Sequence, residues 1–354
     1  RIPLMPKLRI LILGTGGMAK QHVLLLREDP RVEITGAADV DLGRAKAFAD
    51  AHQIPHAFGT LDDAIAWGQF DAAMNVTPDS VHYPTTMKLL AAKKHVLCEK
   101  PLAENFKLAD EMAATADKAG LINMVNLSYR NVPAIQEARK RIAAGEIGDV
   151  RHVEASYRQS WLVANNWGDW KTDPKWLWRL SEKHGSNGVL GDVGIHILDF
   201  TAHAIDMMPV SVQARLKTFH KAPGDRIGEY PLDANDSATM NVEFSNGALG
   251  VIHASRFMTG YSNDMKLAVF GTLGALELHH ALDRTTLRLC SGQDVHSQTW
   301  HNIDSPPVES NHRRFVTAVI AQISCEPSFR RGADLQKVLD LCQTPEAGGA
   351  ARVS

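Results

Sequence analysis

The sequence predicts two domains: an α/β domain with a doubly wound parallel sheet, followed by an α+β domain with a mostly antiparallel sheet. Its 354 residues are too many for one ordinary hydrophobic core. The first 125 or so residues alternate short apolar runs with longer helical patterns, which is typical of repeated strand–helix units. After about residue 150, strand-like segments follow one another with few helices. We therefore expect one domain over residues 1–125 and a second over residues 126–354.

The elements of the first domain are expected where apolar runs are interrupted by turn residues. Residues 8–13 form a nearly continuous apolar run, as expected for a parallel strand buried on both faces. Four more strands are expected at residues 32–38, 70–76, 95–98 and 121–127, with helices at residues 17–28, 44–52, 81–92 and 105–119. This alternation predicts a parallel sheet covered by helices.

The second domain is expected to contain a run of strands, at residues 150–158, 210–219, 238–244, 248–256, 266–270 and 287–290. Ser245-Asn246-Gly247, between two of them, is typical of a hairpin turn. Residues 161–188 are irregular and carry five of the seven tryptophans: Trp161, Trp167, Trp170, Trp176 and Trp178. These rings either pin a loop by burial or form a cleft wall for a ring-shaped ligand, and both can hold at once.

The composition indicates a globular protein and excludes several classes of partner. The chain is 44% hydrophobic and 22% charged, with a net charge of −2, so no strong field attracts a polyanion or a membrane surface. No basic run points to nucleic acid, and no apolar stretch reaches membrane-spanning length. The four cysteines are widely spaced, as expected for reduced thiols. The segment before Leu8 is too short for a signal peptide, so we expect a cytoplasmic protein.

A glycine-rich turn follows the first expected strand. Gly14-Thr15-Gly16-Gly17-Met18-Ala19 fits the pattern G-x-G-x-x-A between a buried strand and a helix. Gly14 allows the tight turn, Gly16 lets the backbone approach a pyrophosphate, and Ala19 keeps the helix close to the strand. The helix N-terminus then offers free N–H groups and a positive dipole end to the phosphates. The turn predicts a Rossmann-type domain that binds a nicotinamide dinucleotide.

Asp39 ends the second expected strand, 25 residues after Gly14. A carboxylate there can accept hydrogen bonds from both ribose hydroxyls of NAD, and it repels the 2′-phosphate of NADP. Arg44 complicates this choice, because a guanidinium five residues on can accompany a 2′-phosphate. The pattern favours NAD as cofactor and leaves NADP open.

The first candidate for chemistry is Cys98-Glu99-Lys100-Pro101, at the end of an expected parallel strand. Ligands of doubly wound sheets lie beyond these strand ends. Lys100 is therefore placed to reach a substrate hydroxyl near the nicotinamide, and Pro101 stiffens the turn. The alternative is an ordinary surface lysine.

The second candidate is the segment at residues 191–199, which carries a polar stripe that extends to His203 if the chain is helical there. Asp192, His196, Asp199 and His203 recur at i, i+4, i+7 and i+11, on one helix face. The stripe is either a solvated face, a metal site of imidazole and carboxylate ligands, or an acid–base group with a carboxylate that orients it. Beside a dinucleotide fingerprint the third interpretation explains most, since histidine titrates near neutral pH and can take the proton of an alcohol.

Motifs in a fixed order along the whole chain carry a resemblance to a known family. They are the glycine turn, Asp39, Asn75-Val76-Thr77-Pro78 with His82, the segment from His95 to Leu102 with Glu99-Lys100-Pro101, Tyr129-Arg130, Gly145-Glu146-Ile147-Gly148, Trp178-Arg179, Gly191-Asp192-Val193-Gly194-Ile195-His196 with Asp199, and Gly271-Thr272-Leu273-Gly274. With these motifs the chain resembles the glucose–fructose oxidoreductase / inositol dehydrogenase / MocA (Gfo/Idh/MocA) family.

The resemblance implies a second domain with a large, open, mainly antiparallel sheet that serves homodimer or homotetramer contacts. It implies oxidation or reduction of sugars, polyols and related carbohydrates, with Lys100, Asp192 and His196 as the catalytic group. Glu99 and Lys100 then border the nicotinamide, and Thr77, Pro78 and His82 the adenosine side. Tyr129, Trp161, Trp178 and Arg179 are expected to line the substrate pocket together with Asp192 and His196.

Three rival interpretations remain beside a carbohydrate dehydrogenase. Some members of the family are NAD-dependent glycoside hydrolases, which oxidise, eliminate and re-reduce within one cycle. The superfamily also includes non-catalytic regulators that keep the fold. A metal-dependent enzyme is the third rival.

Overall fold

The computed structural model describes residues 6–344 and 351–353, and they divide into two compact units. The first contains the described residues of Arg1–Asn131 and Glu309–Gln336, and the second those of Val132–Val308 and Lys337–Ser354. The sequence prediction placed residues 309–336 in the second domain. The structure groups them with the first because Phe315 and Val316 pack in the same buried cluster as the first strand. The assignment of the substrate role to the second domain stays a prediction.

Among the described residues, the strands are β1 (Leu8–Leu13), β2 (Val32–Ala38), β3 (His56–Phe58), β4 (Ala72–Asn75), β5 (His95–Cys98), β6 (Asn123–Val125), β7 (Val150–Arg158), β8 (Pro209–Lys217), β9 (Arg226–Ile227), β10 (Tyr230–Pro231), β11 (Ser237–Phe244), β12 (Leu249–Ser255), β13 (Asp264–Gly271), β14 (Gly274–His280), β15 (Thr285–Ser291), β16 (His301–Asn302) and β17 (Ala351–Arg352). The α-helices are α1 (Ala19–Arg27), α2 (Leu42–Ala51), α3 (Leu61–Trp67), α4 (His82–Ala91), α5 (Phe106–Ala119), α6 (Pro133–Ala143), α7 (Pro174–Leu177), α8 (Ile195–Ile205), α9 (Asp294–Ser297), α10 (Asn311–Ala321) and α11 (Phe329–Gln343).

The first unit is built on a parallel six-stranded sheet in the order β3-β2-β1-β4-β5-β6. Its central strands are almost fully buried, which explains why their sequences read as continuous apolar runs. The order reverses between β1 and β4, and ligands of such sheets bind beyond the strand ends at this switch point. The Rossmann-type fold predicted from the sequence is confirmed.

The second unit is built on a nine-stranded sheet in the order β16-β15-β14-β13-β7-β12-β11-β8-β17. Among its described strands, β7 and β12 pair in parallel and all other neighbours pair antiparallel. The predicted turn at Ser245-Asn246-Gly247 joins β11 to β12 as a hairpin. Helices α6 and α8 pack against each other and against strands of this sheet. The large, mostly antiparallel sheet is therefore confirmed.

The tryptophan-rich segment folds as short helical turns between β7 and α8. Trp161 and Trp170 are buried in a cluster with Leu177, Leu180 and Leu232, and Trp167 and Trp176 pack against it. These buried aromatic side chains fix the segment in place, as expected from the interpretation of a loop pinned by burial. No helix among residues 6–344 and 351–353 is long and apolar enough to cross a membrane. All four cysteines lie in the described residues and are free thiols.

Candidate active site

The glycine turn lies at the carboxyl end of β1. Gly14 has a φ of +89°, and a Cβ there would lie 2.6 Å from the Val76 carbonyl oxygen, so only glycine fits. By contrast, a Cβ on Gly16 or Gly17 would meet no atom within 4 Å. Contacts within the chain therefore require glycine at position 14. Gly16 and Gly17 instead leave open space beside the backbone that leads into α1. This arrangement fits a dinucleotide pyrophosphate, which needs close approach to the backbone at a helix N-terminus.

Asp39 is anchored to the glycine turn by its side chain. Oδ2 accepts hydrogen bonds from the Thr15 amide (3.0 Å) and hydroxyl (2.7 Å), and Oδ1 accepts from the Asp41 amide (3.0 Å) and Arg44 Nη2 (2.6 Å). Burial opposes the charge, but these four donors outweigh it and lower the pKa of Asp39 to about 2. Asp39 is thus a fixed anion beside the turn. Arg44 faces the solvent, with 61% of its side chain exposed.

The ends of β1, β4 and β5 lie side by side at one edge of the sheet. Leu13, Asn75 and Cys98 are register partners on these three strands, so the segments that follow them leave the same edge. Asn75 Oδ1 accepts hydrogen bonds from the Thr77 amide and hydroxyl, and the Glu99 amide donates to the Asn75 carbonyl (2.9 Å). The parallel register therefore brings together the cofactor residues predicted in three separate stretches of sequence.

His82 lies below this edge, at the start of α4. Its side chain is 0% exposed, and its Nδ1 and Nε2 lie 2.7 and 2.8 Å from the carbonyl oxygens of Pro101 and Thr77. Both partners are acceptors, so only a doubly protonated ring can donate to both. Burial opposes this charge, but the Cys98 sulfur, the Asp79 carboxylate and the Pro101 carbonyl raise the pKa of His82 to about 10.

The position of His82 changes its expected role. The resemblance assigned it a direct contact on the adenosine side, alongside Thr77 and Pro78. Thr77 is half-buried and Pro78 is exposed, whereas both ring nitrogens of His82 are engaged inside the unit. His82 therefore holds the segments that carry Thr77 and Lys100 and does not reach the surface itself.

Glu99, directly before Lys100, is held by several donors. Oε1 accepts from His22 Nε2 (2.8 Å) and Asn126 Nδ2 (2.6 Å), and Oε2 accepts from the Lys100 amide (3.2 Å). Burial opposes the charge, but the hydrogen bond from His22 and the other donors lower the pKa of Glu99 to about 2. Glu99 is therefore a fixed anion, and Lys100 follows it at the edge of the sheet. His22 and Asn126 were not among the residues predicted from the sequence.

In the second unit, Asp192 and His196 lie where a π-helical turn, Leu190–Gly194, continues into α8. The expected helical stripe exists, but His196, Asp199 and His203 are buried, because every residue of α8 is buried. His203 Nε2 lies 3.1 Å from Gln136 Oε1. The interpretation of the stripe as a solvated face is therefore wrong. The wider π turn was not predicted, and such turns are frequent at functional sites.

Asp192 is held by two arginines. Arg256 Nη2 donates to its Oδ2 at 3.1 Å, and Arg179 Nε lies 3.9 Å from the same oxygen. The Arg256 side chain is fully buried, lies over the Trp161 ring, and donates from Nη1 to the Arg179 carbonyl. Burial lowers the pKa of Arg256, and Asp192 opposes this shift. Arg256 is a functional candidate that the sequence did not reveal, since a single arginine at a strand end forms no pattern.

The remaining predicted pocket residues fall into both units. Trp178 lies in a short helical turn after α7, and the Arg179 guanidinium lies 4.6 Å from its ring centre. Arg179, Trp161 and Asp192 therefore form one cluster with Trp178 in the second unit. Tyr129 lies in a helical turn of the first unit, Ser128–Asn131. Among the described residues, no three His, Cys, Asp or Glu side chains are grouped so that they could hold a metal ion.

Known proteins match both units. The model of an oxidoreductase family with an NAD-binding Rossmann fold matches residues 8–127, and that of the GFO/IDH/MocA C-terminal domain matches residues 135–277. Levoglucosan dehydrogenase from Pseudarthrobacter phenanthrenivorans is 26% identical over 303 residues, which cover 78% of this chain and 74% of that protein.

Solved structures extend the match over nearly the whole chain. An oxidoreductase domain protein from Kribbella flavida aligns with a TM-score of 0.85 at 30% identity, covering 96% of each chain. A levoglucosan dehydrogenase in complex with NADH aligns with a TM-score of 0.83 at 22% identity, covering 94% of this chain and 95% of that one, and has the same fold. The chain belongs to the Gfo/Idh/MocA family of oxidoreductases, and its first unit carries the NAD-binding Rossmann domain of that family.

Proposed function

We propose that the protein is an NAD(P)-dependent dehydrogenase or reductase that acts on a secondary alcohol or ketone carbon of a sugar, polyol or related carbohydrate. The observation that carries this proposal is the Asp192–His196 pair at the start of α8, with Asp192 held by Arg256 in an NAD-binding family. The relative named levoglucosan dehydrogenase supports a carbohydrate as the substrate.

The cofactor is proposed to be NAD, with NADP open. The turn from Gly14 to Met18 would hold the phosphates, Asp39 the ribose, and Thr77 and Pro78 the adenosine side. Glu99 and Lys100 would border the nicotinamide. NAD, when bound, supplies the acceptor for the hydride that leaves the substrate carbon. The fixed negative charge of Asp39 favours hydroxyl donors over a 2′-phosphate, and the exposed Arg44 guanidinium provides the opposite preference.

The side chains have separate roles in the proposed reaction. His196 accepts the proton of the substrate hydroxyl during oxidation and returns it during reduction, as a positioned imidazole can do. Lys100 donates a hydrogen bond to the substrate oxygen and stabilises its developing negative charge. Asp192 orients His196 or binds a neighbouring hydroxyl, and Trp161, Trp178, Arg179 and Tyr129 form walls of the pocket.

A direct test separates turnover from cofactor binding. A panel of sugars, polyols and lactones is screened with NAD and NADP by nicotinamide absorbance, and the substrate found is used with Lys100→Met and His196→Ala. We expect both variants to lose roughly 10²–10⁴-fold in kcat, the usual contribution of a positioned acid–base group. NADH binding, followed by fluorescence, should persist. His203→Gln, in the same helix, is the matched control. Turnover that survived both substitutions with cofactor bound would contradict the assignment.

We also propose that the protein assembles as a homodimer or homotetramer through the sheet of the second unit. Leu249 and Val251 on β12 are exposed apolar side chains, which supports a covered face there. Light scattering coupled to size exclusion measures the mass in solution. A monomer at micromolar concentration, or an oligomer unaffected by Val251→Lys, would contradict this proposal.

A further inference from the structure

Three side chains from distant parts of the first unit form a line behind Lys100. Glu99 Oε1 lies 2.8 Å from His22 Nε2, and His22 Nδ1 lies 2.9 Å from Nε2 of His312. The two rings meet edge to face, with centres 4.7 Å apart. His22 is 1% and His312 2% exposed, so both rings lie in the interior of the first unit. Glu99 follows β5, His22 lies on α1 and His312 on α10, so three elements meet in one polar chain.

Hydrogen-bond chemistry determines where the protons of this chain lie. The Glu99 carboxylate is an acceptor, so His22 Nε2 carries a hydrogen. His312 Nδ1 is buried and has no hydrogen-bond partner among the described residues. If His22 Nδ1 also carried a hydrogen, His312 would have to accept it at Nε2 and bury an unpaired N–H at Nδ1. The opposite arrangement leaves only an unpaired lone pair there, which costs less. His312 is therefore a neutral ring that donates from Nε2 to His22.

A second link runs from the same helix to the same carboxylate. Asn311 Nδ2 donates to Asn126 Oδ1 (3.1 Å), and Asn126 Nδ2 donates to Glu99 Oε1. Neighbouring residues in the first turn of α10 thus reach one oxygen of Glu99 by two routes. The other oxygen accepts the Lys100 amide. An apolar pair of similar size could fill the space of the two rings, but it could not fix the direction of the carboxylate.

We propose that His22 and His312 are positioning residues, which hold Glu99 in one orientation and, through its second oxygen, the backbone of Lys100. The inference rests on the proposed function, in which Lys100 acts on the substrate oxygen. His312 lies 290 residues after His22 in the chain. The C-terminal part of the first unit therefore helps to position the segment that carries the candidate lysine.

Two variants of His312 and a matched control test this role. His312→Leu removes the donor to His22, whereas His312→Gln retains an N–H group near the position of Nε2. Val319→Ala, on the same helix and in the core of the first unit, removes buried apolar volume and leaves every residue of the hydrogen-bonded chain unchanged. Two readouts are used: hydrogen–deuterium exchange of the peptide that contains Lys100, and kcat and KM with the substrate found in the panel.

For His312→Leu we expect faster exchange at the Lys100 peptide and a kcat lowered roughly tenfold or more, with the KM for NAD within about threefold, because small misplacements cost rate more than binding. His312→Gln should restore most of both readouts. Val319→Ala should lower the melting temperature and change neither. The proposal is overturned if His312→Leu behaves like Val319→Ala. If the wild type turns over no carbohydrate, the proposed function fails, while the exchange comparison still decides whether the two histidines hold Lys100.

Discussion

Two buried histidines of the first unit, His82 and His312, have different protonation states. His82 faces the carbonyl oxygens of Thr77 and Pro101, and its pKa is raised to about 10. His312 faces another imidazole, and burial together with that neighbour lowers its pKa to about 3. Both rings are removed from water, so burial alone does not set the charge. At His82 the Cys98 sulfur, the Asp79 carboxylate and the Pro101 carbonyl outweigh the effect of burial on the pKa, whereas at His312 burial dominates.

The largest effect is expected when His82 loses its donors. In His82→Leu, the buried Pro101 carbonyl and the partly buried Thr77 carbonyl lose their hydrogen bonds, so we expect the free energy of unfolding to fall by about 2–5 kcal/mol. His82→Gln keeps amide donors that can serve one carbonyl, and it should recover part of this loss. Urea unfolding measures both variants. If His82→Leu were as stable as the wild type, the ring would not be the donor that these carbonyls require.

Raising the pH should remove the stabilising contribution of the protonated His82. A histidine whose pKa rises from 6.5 to about 10 on folding stabilises the protein fully below pH 6.5 and loses this contribution as the pH rises toward 10. Between pH 6.5 and 9 the wild type should lose about 3 kcal/mol more than His82→Gln, since one pKa unit corresponds to about 1.4 kcal/mol. Parallel curves for the two proteins would mean that His82 is neutral when folded.

Lowering the pH should reveal the opposite sign at His312. Its pKa falls from 6.5 to about 3 on folding, so its contribution is complete above pH 6.5 and is lost as the pH falls. Glu99, whose pKa falls from 4.5 to about 2, adds its loss only below pH 4.5. Between pH 6.5 and 4.5 we therefore expect the wild type to lose about 2 kcal/mol more than His312→Gln. A wild type that lost no more than this variant would rule out a neutral, buried His312.

Much of the fold could be predicted because its signals are local. The buried parallel strands read as apolar runs, and the positive φ of Gly14 is typical of a glycine-rich turn that the sequence shows directly. β3 was missed because it has three residues, too few for a periodic pattern. The placement of α10 in the first unit could not be predicted either, since it depends on packing against helices and strands almost 300 residues earlier.

The candidate site was predictable only where its residues form motifs. Lys100, Asp192 and His196 belong to such motifs, and Asp39 follows from its distance to the glycine turn. His312 and Arg256 have no local signal, because their function depends on the side chains that the fold brings to them. Even His82, which lies in a motif, is expected from the resemblance to border the adenosine side, since sequence does not show that both of its ring nitrogens face backbone carbonyl oxygens.

The ion pair of the buried Asp39 with the exposed Arg44 contrasts with the two buried histidines, and removing Arg44 should have the smallest effect on stability. Asp39 keeps three other donors when Arg44 is removed, and Arg44 is mostly in water, so Arg44→Ala should change the free energy of unfolding by less than about 0.5 kcal/mol.

Cofactor preference should change more than stability in that variant. Without the guanidinium, the fixed anion Asp39 is left alone near the ribose, so the kcat/KM for NADP should fall roughly fivefold relative to that for NAD, which should stay within about twofold. Lys46→Ala removes the same charge from the exposed face of α2, without a bond to Asp39, and should leave the ratio unchanged. If the NADP-to-NAD ratio of kcat/KM changed equally in both variants, the positive charge of α2 as a whole would attract the 2′-phosphate. If the ratio stayed constant in Arg44→Ala, Asp39 alone would discriminate between the two cofactors.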